Sequence, residues 1–123
     1  MSQLGVVLVS HVPELVTGIS RLLNEVAKDV SITIAGGTDD NEVGTSMMKI
    51  EEAFEANEAD TILAFYDLGS AKMNLEMAME MTDKEVTLYD TAFVESSYTA
   101  AALIQAGATK EMIEEQLAPL KVK

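Results

Sequence analysis

The stretch Leu4-Gly5-Val6-Val7-Leu8-Val9-Ser10-His11-Val12-Pro13 decides the fold. Leu4 to Val9 is a continuous apolar run broken by one glycine, the pattern of a strand buried on both faces. Ser10-His11 leaves it. Pro13 follows at a helix start, where its missing N–H costs nothing. Leu15, Ile19, Leu22, Leu23 and Val26 then recur at helical spacing. A strand that feeds straight into a helix is half of a βαβ unit.

The rest of the chain repeats this alternation. Ser31 to Ala35 is short and β-branched and reads as a second strand, ended by Gly36-Gly37. A polar loop runs on to about Thr45. Met47, Ile50 and Phe54 mark a second helix, with Thr45 or Ser46 as N-cap. Thr61 to Tyr66 is a third strand, followed by the turn Asp67-Leu68-Gly69-Ser70. Ser70 is placed to cap a helix carrying Ala71, Leu75, Ala78 and Met79. Val86 to Tyr89 is a fourth strand. Phe93 to Ala106 is a helix stopped by Gly107, and Thr109 caps a last helix through Met112, Ile113, Leu117 and Leu120. Thr82 and Glu85 have capping-box spacing, but the β-prone Val86-Thr87-Leu88-Tyr89 follows at once, so a strand is expected there. No internal repeat, low-complexity tract or linker interrupts the pattern.

Strands alternating with helices predict an α/β fold, a small doubly wound, mainly parallel sheet with helices on both faces. The simplest strand order is 2-1-3-4. In that order strands 1 and 3 are neighbours at the switch point, where open α/β sheets bind ligands. His11 leaves strand 1 and Asp67 leaves strand 3, so the two point into one crevice although 56 positions separate them.

Composition narrows what the crevice can do. The 123 residues hold 8 Lys and Arg against 21 Asp and Glu, a net charge of −13. Nucleic-acid affinity comes mainly from Lys and Arg, so no nucleic-acid partner is expected. The chain has no Cys, hence no disulfide, thiol nucleophile or zinc ribbon, and its one His precludes a multi-His metal site. With 48% apolar residues it can bury a core. No segment approaches the roughly 20 apolar residues of a membrane span, and the N-terminus lacks signal-peptide character. A soluble cytoplasmic protein with no membrane partner is expected.

The chemistry then rests on few residues. His11 can accept a phosphoryl group as a covalent intermediate, since imidazole is nucleophilic near neutral pH. It precedes a helix start, where unpaired N–H groups and the dipole favour an anion. The plainer reading is a histidine that merely completes a loop. Asp67, by accepting one ring N–H, would fix the tautomer of His11 and leave the other nitrogen free. Its plainer reading is a turn aspartate bonded to its own backbone.

Three groupings, Gly36-Gly37-Thr38, Gly44-Thr45-Ser46 and Gly69-Ser70, lie where strands end or helices begin. Each alone is an ordinary turn or cap. Around one histidine, Gly36, Gly37, Thr38, Thr45, Gly69 and Ser70 become candidates to hold phosphate oxygens. No Gly-Lys-Ser/Thr is present, so direct nucleoside triphosphate hydrolysis is not expected, and no Gly-x-Gly-x-x-Gly marks a dinucleotide site. Asp39-Asp40-Asn41-Glu42 lacks the spacing of an EF-hand, and no metal site is expected. Met73, Met77 and Met81, four residues apart, read as core or as a subunit contact.

Gly5-Val6-Val7-Leu8-Val9-Ser10-His11, Gly36-Gly37-Thr38, Gly44-Thr45-Ser46 and Asp67-Leu68-Gly69-Ser70-Ala71 with Asn74 and Glu76 resemble the DhaM family. These are the phosphotransferase subunits of phosphoenolpyruvate-dependent dihydroxyacetone kinases, related to the mannose-type enzyme IIA domain. The resemblance covers nearly the whole chain and implies a single mannose-type enzyme IIA-like domain over 1–123. It implies that His11 is the phosphohistidine of a phosphotransferase, that the phosphoryl group arrives from phospho-HPr, and that it leaves to ADP on the DhaL subunit. DhaL would then phosphorylate dihydroxyacetone bound on DhaK. It further implies a homodimer, a separate HPr, and no tightly bound cofactor, since the ADP sits on the partner subunit. The chain departs from the family at Val94-Glu95-Ser96-Ser97, where the usual run is Val-Glu-Gly-Ala, and Tyr89-Asp90-Thr91-Ala92 is also less typical. Two alternatives stay open: an enzyme IIA of a mannose-type sugar phosphotransferase system, and a non-catalytic flavodoxin-like binding module.

Overall fold

The structure is a computed structural model that describes residues 3–123. Four strands, β1 (Leu4–Ser10), β2 (Ile32–Gly36), β3 (Thr61–Tyr66) and β4 (Glu85–Tyr89), form one sheet in the order β2-β1-β3-β4. All three pairings are parallel. Five helices connect and follow the strands: α1 (Pro13–Asn24), α2 (Met47–Ala56), α3 (Lys72–Met81), α4 (Phe93–Gln105) and α5 (Lys110–Leu117). The doubly wound α/β fold with order 2-1-3-4 is therefore the observed one.

The period of two along the central strands sorts the core into two layers. Val6, Leu8, Leu63 and Phe65 meet Val16, Ile19 and Leu23 of α1, Ala100, Ala101 and Ile104 of α4, and Ile113 and Leu117 of α5. Val7, Val9, Ile62, Ala64 and Tyr66 meet Ile50, Ala53 and Phe54 of α2 and Leu75 and Ala78 of α3. Covering both faces is why β1 and β3 read as unbroken apolar runs, and each fully buried Leu, Ile or Phe contributes about 1.5–3 kcal/mol of transfer free energy.

The structure refines two readings of the sequence and corrects a third. In α1 the buried stripe is Val16, Ile19 and Leu23, whereas Leu15 and Leu22 lie exposed. An apolar side chain on a helix does not have to be buried, and one-face periodicity cannot settle the rotation to within a residue. Of the two readings given for Met73, Met77 and Met81, core is excluded and subunit contact is left: all three are exposed on the outer side of α3, whose inner side is Leu75 and Ala78. Ser70 does not cap α3. A 3₁₀ turn, Gly69–Ala71, precedes that helix, and the Ser70 hydroxyl is used elsewhere.

Several local readings hold as written. Pro13 opens α1, Ser46 caps α2 by accepting from Lys49 N–H, and Thr109 caps α5 by accepting from Met112 N–H. Gly107 ends α4 at φ 89°, a conformation that favours glycine. Thr82 ends α3, and β4 follows. Among the described residues, no helix is long and apolar enough to cross a membrane.

Candidate functional site

Register puts the site together. Val9 of β1 lies beside Tyr66 of β3, and Ser10 lies beside Gly36 of β2. The residues that follow these positions therefore emerge side by side at the carboxyl end of the sheet. Beyond this end β1's neighbours diverge, because the chain winds toward β2 on one side and β3 on the other. His11 and Asp67 meet in that crevice.

Asp67 is an organising acceptor. One of its carboxylate oxygens, Oδ2, accepts from the Ser10 hydroxyl at 2.8 Å and from the His11 backbone N–H at 3.0 Å. The other, Oδ1, faces His11 Nδ1 at 2.9 Å and accepts from the Leu68 N–H at 2.7 Å. Burial pushes the Asp67 pKa up. The hydrogen bonds from the His11 N–H, Ser10, the His11 ring and the Leu68 N–H outweigh that and hold it below the ordinary carboxylate value. The carboxylate is thus ionised at neutral pH and faces Nδ1, which places the ring proton there.

The second ring nitrogen, Nε2, lies 2.6 Å from the Ser70 hydroxyl, on the exposed side. With Nδ1 protonated, Nε2 carries the free lone pair and Ser70 donates to it. Gly69 and Ser70 open the 3₁₀ turn, and the first N–H groups of a helical turn have no acceptor within it. Ser10, fully buried, completes the arrangement: its hydroxyl donates to Asp67 and accepts from the Val12 N–H at 3.0 Å, just ahead of α1.

The loop after β2 stands beside this pair. Gly37 N–H donates to the Ser10 carbonyl at 3.1 Å and Gly44 N–H to the His11 carbonyl at 2.9 Å. Gly36 and Gly37 have a packing reason as well. A Cβ on Gly36 would sit 2.7 Å from Pro13 Cα, and Gly37 holds φ 78°. The Thr38 hydroxyl accepts from the Glu42 N–H within the loop, and the Thr45 hydroxyl accepts from Asn74 Nδ2 of α3 at 2.7 Å. The ring nitrogens of His11 are bonded to Asp67 and Ser70; the Gly37 N–H is taken by the Ser10 carbonyl and the Thr38 and Thr45 hydroxyls by Glu42 and Asn74, so none of Gly36, Gly37, Thr38 and Thr45 bonds the ring.

Three contributors went unnoticed in the sequence as site residues. Ser10 figured only as the neighbour of His11 in the motif that leaves the first strand, with no role of its own. Asn74, which bridges α3 to the loop before α2, had no local signal beyond the family pattern. Lys123 lies 112 positions from His11 in sequence, yet its Nζ donates to the carbonyls of Tyr66 at 2.7 Å and Asp67 at 3.0 Å. The departure at Ser96-Ser97 proves internal. Both serines are fully buried and donate to helix carbonyls, Ser96 to Ala92 and Ser97 to Phe93, so this stretch changes the helix interior rather than the surface.

Residues 5–114 match the EIIA-man family, described as PTS system fructose IIA component. The chain is 50% identical over 119 residues to the phosphotransferase subunit DhaM of a PTS-dependent dihydroxyacetone kinase from Lactococcus lactis, with 97% of each chain covered. It is 44% identical to a phosphoryl donor subunit DhaM of a PEP-dependent dihydroxyacetone kinase from Listeria innocua, covering 97% of this chain and 96% of that one. A crystal structure of the unknown-function protein EF1359 superposes with a TM-score of 0.85 at 27% identity, covering 100% of this chain and 98% of the other.

Proposed function

The chain belongs to the EIIA-man family, and from that membership we propose that it is the phosphoryl donor subunit of a phosphoenolpyruvate-dependent dihydroxyacetone kinase, with His11 as the phosphate carrier. The observation that carries the reading is the polarised imidazole. Asp67 holds Nδ1, and Nε2 faces outward toward Ser70.

In the first step Nε2 attacks the phosphorus of phospho-HPr. The bond from phosphorus to the donor's nitrogen breaks as the Nε2–P bond forms, and the donor imidazole leaves with its electron pair. The His11 ring gains positive charge, which the adjacent Asp67 carboxylate offsets. Ser70 turns its hydroxyl from the lone pair to a phosphoryl oxygen. The N–H groups of Gly69 and Ser70 and the start of α1 face the remaining charge. Gly36, Gly37, Thr38 and Thr45, at the end of β2 and on the loop after it, would meet the oxygens of a larger phosphorylated partner by exchanging their present hydrogen bonds. In the second step an oxygen of ADP, held on DhaL, attacks the same phosphorus. The Nε2–P bond breaks, ATP forms on DhaL, and His11 is neutral again. DhaL then phosphorylates dihydroxyacetone on DhaK. Catalysis is positioning and charge stabilisation throughout, with no cofactor held by this chain. The working form is a cytoplasmic homodimer.

The test is phosphate labelling from phosphoenolpyruvate with enzyme I and HPr. The parent chain takes up one acid-labile phosphate and discharges it to DhaL with ADP. His11→Ala takes up none and keeps its fold. Label on His11→Ala would overturn the assignment of the carrier. Discharge to a sugar-system IIB domain in place of DhaL–ADP would make the chain a sugar-transport enzyme IIA. No label on the parent would leave a non-catalytic binding module.

A further inference from the structure

The charge of −13 is a difficulty for a protein that must hold a phosphoryl group, and the structure meets it at one place. Residues 121–123 run antiparallel beside the extension of β4. Thr91 bridges Lys121, the Ala92 N–H donates to the Leu120 carbonyl at 2.9 Å, and the Val122 N–H donates to the Asp90 carbonyl at 3.1 Å. This strap delivers the Lys123 ammonium to two successive carbonyls, Tyr66 and Asp67, at the end of β3. The same ammonium stands 4.4 Å from the centre of the Tyr66 ring.

The surrounding charges make this a charge-balanced spot on a strongly acidic protein. From α3, Lys72 pairs with Asp90 at 3.2 Å, and the Tyr66 hydroxyl donates to the same carboxylate at 2.6 Å. Lys121 acts on Asp90 from the strap, and Glu76 of α3 acts on Tyr66. Three of the eight basic residues, Lys72, Lys121 and Lys123, thus gather beside the turn that carries Asp67 and Ser70. The negative charges facing Lys123 are Asp67 and Asp90.

We propose that Lys123 is a positioning residue for the phosphohistidine: its ammonium, anchored on the Tyr66 and Asp67 carbonyls, fixes the turn bearing Asp67 and Ser70 and offsets the charge that arrives when His11 is phosphorylated. This rests on the phosphoryl-carrier reading above. Two convergent carbonyls on one cation constrain the path of the chain at the point where the Asp67 side chain must reach His11 Nδ1. The ammonium is also a full positive charge placed on the site's own turn, where helix N-termini supply only partial ones.

Lys123→Gln keeps a hydrogen-bond donor and removes the charge. Lys123→Arg keeps the charge. Both are exposed substitutions, and thermal melts check that each variant retains the parent fold. The experiment measures the fraction of chain phosphorylated at equilibrium with a phosphoenolpyruvate, enzyme I and HPr mixture, at low and at 0.5 M salt. For an exposed, partly screened cation, Lys123→Gln is expected to lower the ratio of phosphorylated to free chain about three- to tenfold at low salt. Lys123→Arg is expected to stay within about twofold of the parent, and the difference is expected to shrink as salt screens the charge. A parent-like ratio for Lys123→Gln overturns the proposal while leaving the phosphoryl-carrier reading intact. Equal losses in Lys123→Gln and Lys123→Arg overturn it too, because the charge would then not be what matters. Absence of label on the parent chain overturns the carrier reading and this proposal with it.

Discussion

Replacing Asp67 by Asn tests the centre of the site. The carboxylate takes four donors, two on each oxygen: the Ser10 hydroxyl and the His11 N–H on one, His11 Nδ1 and the Leu68 N–H on the other. An amide offers one oxygen and one NH₂ group, so whichever way it turns, two of the four donors face a donor. Hydrogen bonds to a charged group are worth about 1.5–3 kcal/mol each. Losing two sums to about 3–6 kcal/mol, and water reaching the 12% of the Asp67 side chain that stays exposed recovers a small part, leaving a destabilisation of about 2–5 kcal/mol. The effect on transfer is larger in consequence. The ring loses the anion that sets its tautomer and offsets its charge, and the labelling rate of His11 is expected to fall about 10²- to 10⁴-fold. Rapid-quench labelling from phospho-HPr reads the rate, and urea unfolding reads the stability. The pH dependence has a definite sign. The folded-state pKa of Asp67 lies below its unfolded value, so its stabilisation is present above about pH 4 and is lost as pH falls through the folded value. The parent and Asp67→Asn are therefore expected to differ at pH 7 and to converge as pH falls through the folded-state value of Asp67. A variant that labels within about threefold of the parent, with unchanged stability, would refute the role given to Asp67.

Other expectations follow from single contacts. Ser70→Ala removes a group bonded to His11 Nε2 at an exposed position, so the labelling rate is expected to drop by about three- to tenfold with no measurable change in the melting temperature. Asn57 is buried and ties Val6, Ser31, Thr33 and Ala59 together, so Asn57→Ala is expected to cost about 2–4 kcal/mol in urea unfolding, whereas labelling of the folded fraction stays normal. A chain of charge −13 attracts basic partners, and the second-order rate of phosphoryl uptake from HPr is expected to fall as salt rises from 0.05 to 0.5 M; a flat rate would count against electrostatic steering.

The course of the chain was legible in its residues because each element carries its own punctuation. Pro13 opens α1, Ser46 and Thr109 cap their helices, Gly107 takes a positive φ, and the unbroken apolar runs of β1 and β3 announce burial on both faces. These are local effects, each set by a residue and its nearest neighbours in sequence. The strand order followed from alternation and handedness, and with it the meeting of His11 with Asp67. The rotation of α1 and the exposure of Met73, Met77 and Met81 were not legible, because a helix with apolar residues on more than one side leaves the packing face to its neighbours.

What the sequence determined by itself is therefore the alternating α/β plan and the convergence of one histidine and one aspartate on the switch point. Only the tertiary structure decided how that pair is used. It put Nδ1 on Asp67 and left Nε2 to Ser70, it drew Ser10 under the carboxylate, and it brought Lys123 to the turn from the far end of the chain. The physical reason is that these contacts depend on strand register, side-chain rotamer and the path of a distant strap. Each of those is set by how whole elements pack, and none by the residues adjacent in sequence.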